Sequence, residues 1–384
     1  MTTSISPLTD VPDRAAQFNP TRLRLARKRR GFTQTAFARR MELDRRSVTA
    51  FESGEFPPSE RTIEKIAAVL EFPREFFFGD DLDEPLPQVA SFRSLSKMSA
   101  ITRDMALAEG AIALHLSGWL EREFKLPKPA IPDLSREINP DSTPEAAAAT
   151  LRQLWGLGER PIKSMVHLLE SKGVRIFALS TPSLAVDAFA MWRESTPLIF
   201  LNTQKSSERS RFDTAHELGH LVLHRHVEPQ GEPSEREAND FASALLMPRA
   251  SMFAYEWKTP TLTTLIKVKK HWGVSLAALA YRLHALGLLS DWHYRQLYVE
   301  MNKRGYKESE PDSAPRESSL VFRKVFEELR GEGSGKADIA RSLAIPMADL
   351  DNLILGLVTT SLTGGRRTSA AATARSTADL RIVS

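Results

Sequence analysis

The segment FDTAHELGHLVLHRH, at residues 212–226, constrains this chain most, because it combines a helical apolar stripe with clustered metal-ligating side chains. His216 and His220 are four residues apart, so on a helix they share one face and two imidazoles can reach one ion. The apolar residues predict a helix packed against a core; they are Phe212, Ala215, Gly219, Val222 and Leu223. Glycine in mid-helix costs about 1 kcal/mol relative to alanine, so Gly219 predicts that another backbone packs closely there.

His216, Glu217 and His220 form the H-E-x-x-H pattern of zinc peptidases, in which the histidines bind the metal and the glutamate is the general base. The chain contains no cysteine, so only histidine, aspartate or glutamate can complete a metal site. A catalytic zinc usually takes three protein ligands. A third ligand is therefore expected outside the motif. The metal-free alternative places both histidines in a polar cluster.

Two further histidines of the segment are candidate third ligands. His226 follows His216 by ten residues, which is the spacing of the third histidine in metzincin peptidases. Those enzymes turn the chain back at a glycine where this chain has Leu223, so we expect the helix to continue and His226 to point away. His224 would lie too far along the helix axis. Both are therefore predicted to be surface or packing residues.

The segment EPSEREANDFASALLMP, at residues 232–248, supplies the remaining candidates. Its apolar residues define a buried stripe, formed by Ala238, Phe241, Ala242 and Leu245. At 100° per residue this stripe centres about 60° from Glu235 and about 100° from Glu237. Periodicity therefore favours Glu235 as the third ligand, with Glu237 facing more toward solvent. Asn239, one turn after Glu235, could orient a ligand through a hydrogen bond.

The N-terminal part of the chain is strongly basic, although the whole chain has a formal charge of only +4. Residues 21–50 carry ten lysines and arginines against Glu42 and Asp44, a formal charge of +8. Such a block is typical of a protein that binds a polyanion. A solvated helix face is the alternative.

Two short helices are predicted within FTQTAFARRMELDRRSVTAFESGE, residues 32–55. Thr33 and Asp44 are good N-caps, and Gly54 is typical of a helix end. The resulting helix-turn-helix resembles the repressor-like (XRE, lambda-repressor type) family over about residues 19–78. The matching residues are Gln34, Phe37, Ala38, Leu43, Ser47, Val48, Phe51, Glu52 and Gly54.

This resemblance implies that the second helix enters the major groove of double-stranded operator DNA with its first residues on base edges. Those residues are Arg45, Arg46, Thr49 and Ala50. Gln34 and the basic residues of the first helix would meet phosphates. A helical hairpin that packs only against protein is the alternative.

The segment ADIARSLAIPMADLDNLILG, at residues 337–356, repeats the register of TAFARRMELDRRSVTAFESG, at residues 35–54. The repeated apolar positions are Ile339, Ala340, Leu343, Ile345, Leu350 and Leu353. The groove-facing positions hold Met347, Ala348 and Asp351, with Asp349 nearby. Because carboxylates repel phosphate, we predict a packing or dimerisation element here.

A second resemblance covers the metal-binding segments. RFDTAHELGHLVLH followed by EREANDFASALLMP is similar to the ImmA/IrrE family of gluzincin-like zinc metallopeptidases, and the similarity extends back to about residue 150. It implies one Zn²⁺ per chain, with His216, His220 and Glu235 as ligands and Glu217 as the catalytic acid and base. Members of this family are linked to gene regulation, often by cleaving a repressor.

We expect a mainly α fold with a small β-sheet (α+β), with strands predicted at 174–179, 187–193 and 197–202. The expected divisions are a disordered arm (1–18), a helix-turn-helix domain (19–80), a linker and helical connector (81–143), a metallopeptidase-like domain (144–260), its helical extension (261–305), a C-terminal helical unit (318–358) and a disordered tail (359–384).

The combination predicts a cytoplasmic, DNA-binding transcriptional regulator whose zinc-dependent domain cleaves a regulatory protein, either a partner repressor or the chain itself. Two-fold operators favour a homodimer. No run approaches 18 apolar residues, so no membrane association is expected. A non-catalytic regulator, whose zinc-site domain senses a ligand or forms a dimer, is the alternative.

Overall fold

The computed structural model describes residues 17–85, 99–135, 143–179, 188–226, 231–257, 260–306 and 309–358. The predicted C-terminal tail and all but the last two residues of the predicted N-terminal arm lie outside these ranges. Phe18, the last residue of that arm, is buried in the core. Within these ranges the chain is mainly α-helical with one small sheet, as the sequence predicts. None of the described helices combines the length and apolar character needed to span a bilayer.

The N-terminal helices form the predicted helix-turn-helix scaffold. They are α1 (Pro20–Arg29), α2 (Gln34–Met41), α3 (Arg45–Ser53), α4 (Glu60–Leu70) and a 3₁₀ turn (Arg74–Phe78). The Thr33 hydroxyl accepts a hydrogen bond from the Ala36 amide, and the Asp44 carboxylate accepts one from the Ser47 amide. Gly54 ends α3 with φ +75°. Both predicted N-caps and the predicted C-terminal glycine are therefore confirmed.

A three-stranded sheet lies in the middle of the chain. Its strands are β1 (Arg175–Leu179), β2 (Ala188–Arg193) and β3 (Thr196–Asn202), preceded by the helices α5 (Ala100–Glu123), α6 (Pro144–Leu154) and α7 (Met165–Ser171). The strand order is β1-β3-β2, with β1 parallel and β2 antiparallel to β3. Phe189 and Phe200 stack across the β2–β3 pair at 4.3 Å between ring centroids. The strands are buried on both faces, which explains their nearly continuous apolar sequence.

Two packed helices, α8 (Ser207–Leu223) and α9 (Gly231–Leu246), follow the sheet. A Cβ at Gly219 would lie 3.2 Å from Ala238 Cα and 3.1 Å from the Phe241 ring. The expected close approach of another backbone is therefore present. It brings the HELGH turn of α8 against the first half of α9.

Ion pairs connect the helices that follow to α8 and to α6. These helices are α10 (Arg249–Phe253), α11 (Leu262–Trp272), α12 (Leu276–Ala285) and α13 (Asp291–Lys303). Lys269 is 1% exposed and lies 3.1 Å from Glu208 and 3.2 Å from Glu310. Arg282 donates a bidentate pair of hydrogen bonds to Glu145 at 2.6 and 2.7 Å. These contacts stabilise α11 and α12 against α8 and α6.

The C-terminal unit comprises α14 (Leu320–Gly331), α15 (Lys336–Ser342) and α16 (Met347–Ile354). All the apolar positions repeated from the N-terminal segment are buried, namely Ile339, Ala340, Leu343, Ile345, Leu350 and Leu353. The unit packs within the chain, since α16 contacts β1 and α5. Asp349 is 1% exposed and accepts hydrogen bonds from Arg29 Nε at 2.7 Å and from Arg30 Nη2 at 2.8 Å. A carboxylate of the C-terminal unit thus neutralises the end of α1.

We predict that Gly219→Val lowers the free energy of unfolding by about 1–3 kcal/mol, because the added side chain must displace the backbone of α9. Gly118→Ala is the control, since a Cβ at this mid-helix glycine would meet only the Arg122 guanidinium, at 3.6 Å. That change should raise stability by about 1 kcal/mol. Urea denaturation checks both values, and equal effects at the two glycines would contradict the close contact.

Asp349→Ala should lower the free energy of unfolding by about 3–5 kcal/mol, because it removes the buried carboxylate that accepts from both Arg29 and Arg30 and leaves Arg29 with the more distant Glu109, at 3.5 Å. The matched control is Asp351→Ala in the same helix, where the Lys336–Asp351 pair at 2.8 Å is largely exposed. Exposed pairs contribute at most about 1 kcal/mol. Thermal and urea denaturation would distinguish the two variants. Similar losses of unfolding free energy in both would contradict a stabilising role of the buried ion pairs of Asp349.

Candidate metal centre and DNA-reading helix

The side chains of His216, His220 and Glu235 converge between α8 and α9. The two Nε2 atoms are 3.0 Å apart, and each lies 3.6 Å from a carboxylate oxygen of Glu235. Ligand atoms about 2.0 Å from zinc at tetrahedral angles are about 3.3 Å apart. The observed separations of 3.0–3.6 Å bracket this value. The set of two imidazoles and one carboxylate therefore fits a zinc ion with one open position.

Burial favours the neutral form of the first histidine. Burial and the nearby His220 ring together lower the pKa of His216 to about 4, although Glu235 opposes the shift. A neutral imidazole has a free lone pair, which metal binding requires. The Asn239 side-chain oxygen lies 3.0 Å from His216 Nδ1, where the sequence places an orienting residue.

Glu217 lies beside His216 in α8 and is 3% exposed. Its position between the two histidines in sequence and its burial suit a general base that works in a site shielded from bulk water. Glu217 thus lies in the same turn of helix as the two candidate histidine ligands.

The end of α8 before the remaining two histidines of the segment differs from the sequence expectation. Helix α8 ends at Leu223 instead of continuing, with His224 as its C-cap. His226 still points away from the metal centre, toward Asp133, and is exposed. The His224 side chain is largely buried, with Nδ1 at 3.0 Å from His220 Nδ1 and Nε2 at 2.9 Å from Glu237 Oε2. His224 therefore has the packing role that the sequence predicts, and Glu237 is more exposed than Glu235, as predicted, with side chains 26% and 17% exposed.

The exposed face of α3 carries Arg45, Arg46 and Thr49, all of which are open to solvent. Ala50 is buried in the core, so the prediction that it reaches base edges is corrected. Gln34 is partly exposed, and its amide donates to Glu52 Oε2 at 2.9 Å. An α3 surface with two adjacent arginines suits the paired acceptors of guanine in the major groove.

The basic residues of α1 are mostly paired within the protein. Arg22, Arg27 and Arg29 are buried. Arg27 Nε donates to Glu52 at 2.5 Å, and Arg22 Nε donates to the Asp80 carbonyl at 2.7 Å. These three arginines therefore make contacts within the protein, whereas Arg39 and Arg40 of α2, the first helix of the helix-turn-helix, are exposed and stay predicted phosphate contacts. The charge of the three buried arginines stabilises the domain.

Two family models match the chain, a helix-turn-helix model at residues 23–77 and the IrrE N-terminal-like domain model of peptidase M78 at residues 169–284. The chain joins a helix-turn-helix domain to an IrrE N-terminal-like domain. No curated protein matches the chain.

A cavity of about 570 Å³ lies beside the candidate ligands. Its wall includes Asn239, the residue that contacts His216. Phe212, Tyr281 and Tyr298 supply aromatic surface, while the remaining charged lining comes from Arg209, Asp213, Glu232 and Arg236. The volume is within the range of small-molecule sites. Sequence periodicity gave no signal for this cavity, because its residues come from four separate helices.

We predict that Glu235→Ala reduces bound zinc well below one ion per chain, because only two protein ligands remain. Glu232→Ala changes an exposed glutamate at the start of the same helix and should leave the zinc content unchanged. Metal analysis by mass spectrometry after exhaustive dialysis distinguishes the two. Full zinc occupancy in Glu235→Ala would instead support a different third ligand, and a wild-type chain without zinc would support the metal-free polar cluster.

Proposed function

We propose that this protein is a DNA-binding transcriptional regulator whose IrrE N-terminal-like domain is a zinc-dependent peptidase that cleaves a regulatory protein. The substrate is a partner repressor or the chain itself. The convergence of His216, His220 and Glu235 at ligand distances, with Glu217 in the same turn, carries the enzymatic part of the proposal. The exposed arginines of α3 support the DNA-binding part.

The residues of the site have distinct roles in this mechanism. When bound, zinc polarises the scissile carbonyl and acidifies the attacking water. The two histidines and Glu235 would hold the ion, and Asn239 would orient the first histidine. Glu217 takes the proton of the attacking water and returns it to the leaving amine. Burial of Glu217 limits competing exchange with bulk water.

On DNA, Arg45 and Arg46 would contact base edges, with Thr49 and Gln34 beside them. Helix-turn-helix proteins bind half-sites related by two-fold symmetry. We therefore infer that the protein acts as a homodimer on double-stranded operator DNA.

The cavity beside the metal centre favours a second candidate function. A small molecule bound against Tyr281 and Tyr298 would share the Asn239 wall with the metal site. The domain would then sense a ligand and alter DNA binding, with no peptide bond cleaved. This alternative makes Glu217 dispensable for regulation.

Glu217→Gln should lower the rate of peptide cleavage at least about 100-fold, because it removes the group that transfers the proton. Zinc content and operator binding should stay at the wild-type level. Mass spectrometry measures cleavage of two substrates by the zinc-loaded protein, namely the chain itself and an added unfolded test protein, casein.

Cleavage by Glu217→Gln at the wild-type rate would contradict the peptidase proposal. The ligand sensor would be favoured by two results together. Neither the wild type nor Glu217→Gln would cleave peptide bonds, and Glu217→Gln would regulate a reporter gene under the operator in cells as the wild type does.

Changing Arg45 and Arg46 together to alanine should weaken binding to an operator in the promoter of the protein's own gene. Loss of base contacts costs about 1–3 kcal/mol for each good bidentate pair. Arg341→Ala is a matched control, since Arg341 is an exposed arginine of the C-terminal repeat. Fluorescence anisotropy over a salt series measures both effects. Equal affinity of the double variant and wild type would contradict reading of DNA by α3.

A further inference from the structure

A chain of hydrogen-bonding groups runs away from the metal centre on the side of His220. His220 Nδ1 lies 3.0 Å from His224 Nδ1, and His224 Nε2 lies 2.9 Å from a carboxylate oxygen of Glu237. The side chain of His224 is 9% exposed and that of Glu237 is 26% exposed. This series of hydrogen bonds therefore links the end of α8 to α9 through side chains that are largely removed from solvent.

The positions of the protons in this series of hydrogen bonds follow from the metal-binding role of His220. Binding through Nε2 requires a lone pair there, so Nδ1 of the neutral ring carries the hydrogen. That hydrogen is donated to Nδ1 of His224, which must accept. His224 then carries its own hydrogen on Nε2 and donates it to Glu237. One arrangement of protons satisfies every group, and it is the one in which His220 can bind the metal.

The two metal-binding histidines are supported differently. His216 Nδ1 meets the neutral amide oxygen of Asn239 at 3.0 Å. His220 instead meets an imidazole whose far side is held by a carboxylate. Hydrogen bonding to a carboxylate makes an imidazole a better electron donor, and this effect reaches His220 through the ring of His224. The hydrogen bonds that support His220 therefore end at a charged carboxylate, whereas the side chain that supports His216 is a neutral amide.

We propose that His224 and Glu237 are positioning residues that fix the tautomer and orientation of His220 for metal binding. This inference rests on the zinc site of the proposed function. It assigns a role to a residue beyond the H-E-x-x-H motif that touches neither zinc nor substrate. It also explains why a histidine occupies the C-cap of α8, where its ring can turn back toward the preceding turn.

The test compares the zinc affinity of three variants of the full chain, measured by competition with a chelating dye. His224→Leu removes the acceptor while keeping bulk, and we expect zinc affinity to fall about 10–100-fold. His224→Asn keeps a side-chain oxygen near the position of Nδ1, so it should recover most of the affinity. His226→Leu is the matched control, two residues away at an exposed histidine, and should bind zinc as the wild type does.

Glu237→Gln gives a second measurement if His224→Leu does not fold. It removes the charge but keeps an oxygen that can accept from His224, so a smaller loss of zinc affinity is expected. Nitrogen-15 NMR of the zinc-loaded protein should show His220 protonated at Nδ1, and its Nδ1–H signal should move in Glu237→Gln.

The outcomes separate this inference from the proposed function. Wild-type zinc affinity in both His224→Leu and Glu237→Gln would overturn the positioning role while leaving the metal centre intact. Equal losses in His224→Leu and His226→Leu would also overturn it, because the effect would then be general. A wild-type protein that binds no zinc would overturn the proposed function itself, and the positioning role with it.

Discussion

The close packing of α8 on α9 at Gly219 sets the geometry on which the candidate metal centre depends. With no side chain at this position, the backbone of Ala238 approaches α8 directly. Glu235 lies one turn before Ala238, and His220 is adjacent to the glycine. The contact therefore determines that a carboxylate of one helix meets two imidazoles of the other. A side chain in this contact would separate the ligand atoms and lower their affinity for a single ion.

Much of the site follows from helical periodicity, because its members lie on regular helices. The spacing of His216 and His220 predicts one face, and the buried stripe of α9 ranks Glu235 above Glu237. The sequence also predicts the caps of α2 and α3, since capping depends on residues within one turn. These features need only local information, and the structure brings the three candidate ligands together.

The remaining features depend on where helices end and on partners distant in sequence. Extrapolating α8 beyond Leu223 misses the end of the helix at His224, whose ring lies against that of His220. Counting charges in residues 21–50 predicts a basic surface, yet Arg29 pairs with Asp349, which is 320 positions away. Ala50 is assigned to the groove because the start of α3 is exposed, but its own Cβ faces the core. Periodicity within one helix carries no information on such tertiary contacts.

The ion pairs of Asp349 have a consequence for the electrostatic field of the DNA-binding domain. This carboxylate neutralises part of the charge at the end of α1, where Arg29 and Arg30 meet. The C-terminal unit thus acts as an internal counterion for the DNA-binding domain. A chain cut before this unit would carry a stronger positive field around α1 and attract nucleic acid of any sequence more strongly. The helices of the C-terminal unit would thereby limit indiscriminate attraction, which agrees with the proposal that the arginines of α3 contact the bases.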